Sequence, residues 1–84
     1  MTSPQAEPMQ MVLIPRRDPT HREAQLLHAI DAYTLSKGYP PTIADVAIMV
    51  GLSHTRTAEL AQSCVLYGWL AHERRVARSW RVVR

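Results

Sequence analysis

From Thr20 onward the apolar positions recur first at helical spacing and then in alternation. "THRE" (20–23) has the form of a capping box, in which the Thr20 hydroxyl accepts from the Glu23 amide while Glu23 reaches back. Leu26, Leu27, Ile30 and Tyr33 then fall on one side of a first helix and form a core face. A second row through Ala24, Leu27 and Leu35 is interrupted by Asp31. Lys37 and Gly38 close this helix, a cation followed by a residue free to take positive φ.

The stretch "GYPPTIADVAIMVGLS" (38–53) places two helix starts close together. Each residue before a proline is pushed out of the α region, so "YPP" is extended. Thr42 caps a second helix, with Asp45 three positions on, and Ile43, Val46, Ala47 and Val50 form its buried stripe. Gly51 ends that helix and Leu52 plugs the turn. Ser53 caps a third helix that runs to about Tyr67, with Leu60, Ala61, Cys64 and Val65 facing inward, and Gly68 stops it. "WLAHE" (69–73) and "SWRVV" (79–83) read as two short strands joined by "RRVAR". Trp80 and Val82 alternate with Arg81 and Val83, which gives the second strand one apolar face. Trp69 and Trp80 are expected in the core and Tyr39 packed on the domain.

Two helices joined by three or four residues around a glycine form a helix-turn-helix. Such a crossing needs a small residue, here Ala47, and a turn tolerant of positive φ, here Gly51. The inner faces need apolar residues, here Val46, Val50, Leu52 and Leu60. A helix can then start at once from Ser53, with the positive end of its dipole directed outward toward phosphates. With a hairpin behind it, the unit takes the winged form. The fold expected is mainly α with a small β-hairpin, a three-helix winged helix-turn-helix over residues 18–84.

Charge sharpens this picture. The chain has 84 residues and a net charge of +3. Arg74, Arg75, Arg78, Arg81 and Arg84 stand against Glu73 alone in the segment from Gly68 to the end, which carries +4, while the remainder sums to −1. A basic hairpin on a nearly neutral body points to a polyanion. Residues 1–17 hold three of the six prolines and no clear period, so a flexible tail is expected there. Within it "MQMVLIP" (9–15) is an apolar patch for docking on the domain, an edge strand, a protein partner or self-association.

Length and composition indicate one domain and one cysteine, Cys64, with no disulfide. No apolar run approaches the roughly 20 residues that span a bilayer, and no signal peptide is evident. A cytoplasmic, nucleoid-associated protein is expected, with no membrane partner. The four histidines make no metal-ligand spacing with Cys64, and neither a phosphate loop nor a nucleophile elbow is present. No cofactor, metal or catalytic residue is expected, and the protein is read as a non-enzyme.

"GYPPTIADVAIMVGLS", followed by "GWL" and "SWRVV", resembles the N-terminal DNA-binding domain of the LexA repressor family. The resemblance covers about His21 to Val83, and its most specific marks are the double proline before the second helix and the glycine after the third. It implies a third helix in the major groove and a wing on the backbone. The sequence ends after the wing, so the family's self-cleaving, dimerising C-terminal domain and its Ser/Lys pair are not carried over. The interval from Gly51 to Gly68 is one residue shorter than the family leads one to expect, closer to winged-helix regulators of the MarR and GntR type. The wing also lacks the usual glycine at its tip.

With Leu60, Ala61 and Cys64 inward, the opposite face of the third helix shows Thr55, Ala58, Glu59 and Gln62. Gln pairs with adenine and Glu accepts from the cytosine amino group, while Ala58 suits a thymine methyl. Arg56 reaches guanine or phosphate, and Ser53 and His54 lie by the backbone. Glu59 has the alternative of pairing with Arg56. Arg74, Arg75 and Arg78 are candidates for phosphate or the minor groove, and Thr42 for capping and phosphate contact together. The expected function is a sequence-specific regulator of transcription that binds double-stranded DNA, a small repressor of phage or mobile-element type. The alternatives are a winged-helix protein-interaction module and an architectural or recombination accessory protein.

Overall fold

The computed structural model describes residues 17–83. The expected tail, including the patch at 9–15, lies outside the described residues except for Arg17. Among the described residues three helices come first, α1 (His21–Lys37), α2 (Ile43–Val50) and α3 (His54–Leu66). Two strands follow, β1 (Leu70–Ala71) and β2 (Arg81–Val82), paired antiparallel with Leu70 opposite Val82 and Ala71 opposite Arg81. This is the winged helix-turn-helix that the pattern predicts.

The helix starts follow their caps. Thr20 and Thr42 each head a complete capping box, with Glu23 and Asp45 as the reciprocating acids. Ser53 caps α3 alone, accepting from the Arg56 amide at 3.0 Å. At the turn, Gly51 adopts φ 73°. Its amide and that of Leu52 both donate to the Ala47 carbonyl, at 2.9 and 3.1 Å. A side chain there would meet nothing within 4 Å, so the glycine is needed for its backbone conformation and not for space.

One core lies where the three helices meet the sheet. Leu26 and Ile30 of α1, Val46 of α2, Leu60, Ala61 and Cys64 of α3, Leu70 of β1 and Trp80 pack together there. Ile43, Val50, Leu52, Val65, Trp69 and Val82 are half-buried around them. Burial pushes the Cys64 thiol up to about 11.

Several expectations are modified. Leu35 is exposed, so the second row on α1 buries nothing at its C-terminal end. Tyr33 is half-buried and its hydroxyl is turned to Arg78. Trp69 borders the core and stacks on Tyr67 at 5.0 Å. Tyr39 meets Tyr33 edge-on at 5.9 Å but stays 46 % exposed.

The strands are shorter than the alternation predicts. The cause is Ser79, which is buried inside the wing. Its hydroxyl accepts from the Glu73 amide at 2.9 Å and lies 2.8 Å from the Val76 carbonyl and 3.1 Å from the Glu73 carbonyl. These bonds take the Glu73 backbone out of the ladder and round the hairpin into a loop. His72 stacks on Trp80 at 3.7 Å across its base. The left-handed position that a glycine would ordinarily fill is taken by Arg75, at φ 71°.

A buried polar junction fixes α1 against α3. Glu23 is 3 % exposed. Arg17 forks onto its carboxylate at 2.8 and 3.1 Å, and the Thr20 amide and the Ser63 hydroxyl each donate at 2.9 Å. The Arg17 fork, then the Thr20 amide and Ser63, outweigh burial and hold the Glu23 carboxyl at about 2, against an ordinary 4.5. Arg17 also lies 4.2 Å over the Tyr67 ring.

Candidate nucleic-acid interface

The start of α3 is exposed because its partners are backbone groups behind it. Ser53, His54, Thr55 and Arg56 are all solvent-facing, and so are Glu59 and Gln62 one and two turns on. Thr57 is the inward residue of this turn. It is fully buried, and its hydroxyl donates to the Ser53 carbonyl at 2.8 Å. Thr57 is not among the inward residues expected of this helix, although its position three before Leu60 and four before Ala61 is a usable sign. Ala58 is half-buried beside it. Arg56 and Glu59 form an ion pair at 3.4 Å, with both side chains more than half exposed. An exposed pair of this kind is worth well under about 1 kcal/mol, so a phosphate can draw Arg56 away from it.

Between α3 and the wing lies a cleft of about 540 Å³, lined by Gln62, Val65, His72, Arg74 and Arg75. Gln62 and the two wing arginines therefore share one concavity. Among the described residues neither Arg74 nor Arg75 has a hydrogen bond or an ion pair. The cleft thus offers two uncompensated guanidiniums beside a side-chain amide, a combination suited to an anionic polymer with hydrogen-bonding edges. His72 is an addition to the sequence reading. Its position two residues before Arg74, with Glu73 between, is the available signal.

Arg78 is placed differently. Its Nη1 donates to the Tyr33 hydroxyl at 3.1 Å, the Pro40 carbonyl at 3.2 Å and the Asp45 carboxylate at 3.0 Å. It does not line the cleft with Arg74 and Arg75. Thr42 is half-buried at the start of α2, where its hydroxyl accepts from the Asp45 amide at 3.1 Å. The Thr42 amide, with its hydroxyl and the charge of Arg78, holds the Asp45 carboxyl below its usual range.

Among the described residues no group of three His, Cys, Asp or Glu side chains is arranged to hold a metal ion. Among the same residues no helix is long and apolar enough to cross a membrane.

A family model described as the LexA DNA binding domain matches residues 16–62. The match takes in α1, α2, the turn and α3 as far as Gln62, and it stops short of the wing. No curated protein matches the chain. The matched stretch carries both capping boxes, the Gly51 turn and the exposed start of α3. The chain belongs to the LexA DNA-binding domain family, and its partner is DNA.

Proposed function

We propose that the protein is a sequence-specific regulator of transcription that represses by occupying its operator. In this reading α3 enters the major groove and the wing lies on the backbone or in the minor groove. Thr55, Ala58, Glu59 and Gln62 approach base edges, Arg56 meets guanine or phosphate, and Thr42, Ser53 and His54 lie near the backbone. Arg74 and Arg75 neutralise phosphates along the flank. A protein bound in this way covers the duplex and excludes polymerase without any catalytic step, and it resides with the nucleoid.

The observation that carries the reading is the cleft shared by Gln62, in the second half of α3, with Arg74 and Arg75 of the wing. A base-reading amide and backbone-neutralising cations then act on one duplex at once. The competing reading, an interaction module without DNA affinity, draws on the Arg56–Glu59 pair, which keeps an acid on the α3 face.

The test is a selection of bound duplexes from a random pool, followed by titration of the selected and random duplexes over a salt series. A selected sequence bound at least about a thousandfold more tightly than random duplex supports the regulator reading. Equal affinity for all sequences favours an architectural role. Absence of binding even at low salt favours the protein module.

A further inference from the structure

We propose that Arg78 is a positioning residue, which moors the wing to the start of α2 and does not contact the DNA backbone. The inference rests on the DNA-binding reading of the cleft and adds to it a division of labour among the wing arginines.

The geometry is specific. A single nitrogen, Nη1, turns its two hydrogens to three acceptors from three separate stretches of chain, one hydrogen being shared: Tyr33 in the last half of α1, Pro40 in the extended linker and Asp45 in the first turn of α2. All three lie 33 to 45 residues away in sequence. The guanidinium also sits 5.1 Å over the Tyr39 ring. One side chain thus ties the wing to both helices and to the linker between them.

The wing needs such a tie. Its ladder is two residues long on each side, and a ladder that short does not by itself set the angle of the loop beyond it. Ser79 holds the loop to itself, and the His72–Trp80 stack closes its base. Among the described residues, Arg78 supplies the only hydrogen bonds from residues 72–79 to α1, the linker or α2.

The charge balance argues the same way. Asp45 already neutralises Arg78 at 3.0 Å. A phosphate that captured the guanidinium would leave the Asp45 carboxylate beside it without that cation, and like charges at that range repel. Arg74 and Arg75 carry no such encumbrance. The structure therefore assigns anion binding to Arg74 and Arg75 and orientation to Arg78.

The sign of one substitution separates the two roles. Asp45→Asn keeps an acceptor for the Thr42 amide but removes the charge that holds Arg78. Binding to a random-sequence duplex is measured across a salt series for wild type, Arg78→Ala, Asp45→Asn and the double variant. Amide hydrogen exchange of residues 72–80 is followed in the same proteins. For a mooring residue, each single variant weakens binding by about fivefold, the double variant is no weaker than either single, and the Val76 amide exchanges faster in all three. Tyr33→Phe moves both readouts in the same direction by less, and it leaves the α2 cap untouched should Asp45→Asn disturb it. Tighter binding by Asp45→Asn overturns the proposal, as does a fall of about 0.9 in the salt slope for Arg78→Ala with wing exchange unchanged. If the wild type binds no DNA at low salt, the DNA reading alone fails. The exchange measurement then still decides the mooring: faster wing exchange supports it and unchanged exchange overturns it.

Discussion

The carboxylate of Glu23 and the hydroxyl of Ser63 meet at 2.9 Å, forty residues apart in sequence. The contact joins the first turn of α1 to the third turn of α3, behind the face that α3 exposes. It makes the orientation of that face depend on a buried anion.

The dependence should show in acid. The Glu23 carboxyl stands at about 2 in the folded protein against an ordinary 4.5. A group whose pKa is depressed by folding stabilises the fold above its unfolded value and loses that contribution as pH falls through the folded one. At neutral pH the contribution is on the order of 2–3 kcal/mol, lost between about pH 5 and 2. Urea unfolding at a series of pH values should follow this course, and Glu23→Gln should flatten it. Arg17→Met, which removes the largest cause of the depression, should move the acid transition to higher pH.

At the turn, Gly51→Ala should lower stability by about 1–2 kcal/mol. The cost arises from φ 73° and not from crowding, since a Cβ there meets nothing within 4 Å. Gly51→Asn should therefore lose less than Gly51→Ala. Thermal unfolding of the three proteins checks the order. Any rank determined by side-chain size would contradict it.

Glu59→Gln should bind random duplex more tightly, by about two- to fivefold at low salt. It frees Arg56 from its 3.4 Å partner and takes an acid from the exposed face of α3. Arg75→Ala should weaken binding and reduce the salt slope by about 0.9. Titrations at several salt concentrations separate the two effects, because the first acts on charge balance and the second removes the phosphate contact proposed for Arg75.

Ser79→Ala should loosen the wing without unfolding the helices. It removes the acceptor of the Glu73 amide and the contact to the Val76 carbonyl inside a buried site, a loss of about 1–3 kcal/mol. A change in Trp80 fluorescence ahead of the main unfolding transition is the expected signature. A single transition coincident with loss of helix would show that Ser79 serves the whole core.

The helices were legible because their determinants are local. Capping boxes at Thr20 and Thr42, the Ser53 cap and the glycines all act within four residues, and the inward stripes repeat at helical spacing. The wing was less so. Alternation in "WLAHE" and "SWRVV" suggests longer strands, but a serine hydroxyl competes for the backbone groups, a choice made by packing rather than by period. The exposed residues of α3 follow from the burial of their neighbours. The partners of Arg78 and the Glu23–Ser63 contact do not, because they lie 33 to 45 residues apart and nothing in their spacing brings them together. Arg74, Arg75 and Arg78 look alike in sequence, and only the tertiary structure distinguishes them.

Cys64 offers a practical consequence. Its thiol is wholly enclosed by the core, and burial raises it to about 11, so at neutral pH it is neither reachable nor ionised while the protein stays folded. A thiol-trapping reagent in excess would thus modify a molecule only during an excursion that exposes its interior. The rate of adduct formation becomes a clock for such excursions, readable by mass spectrometry without denaturant and with DNA present or absent.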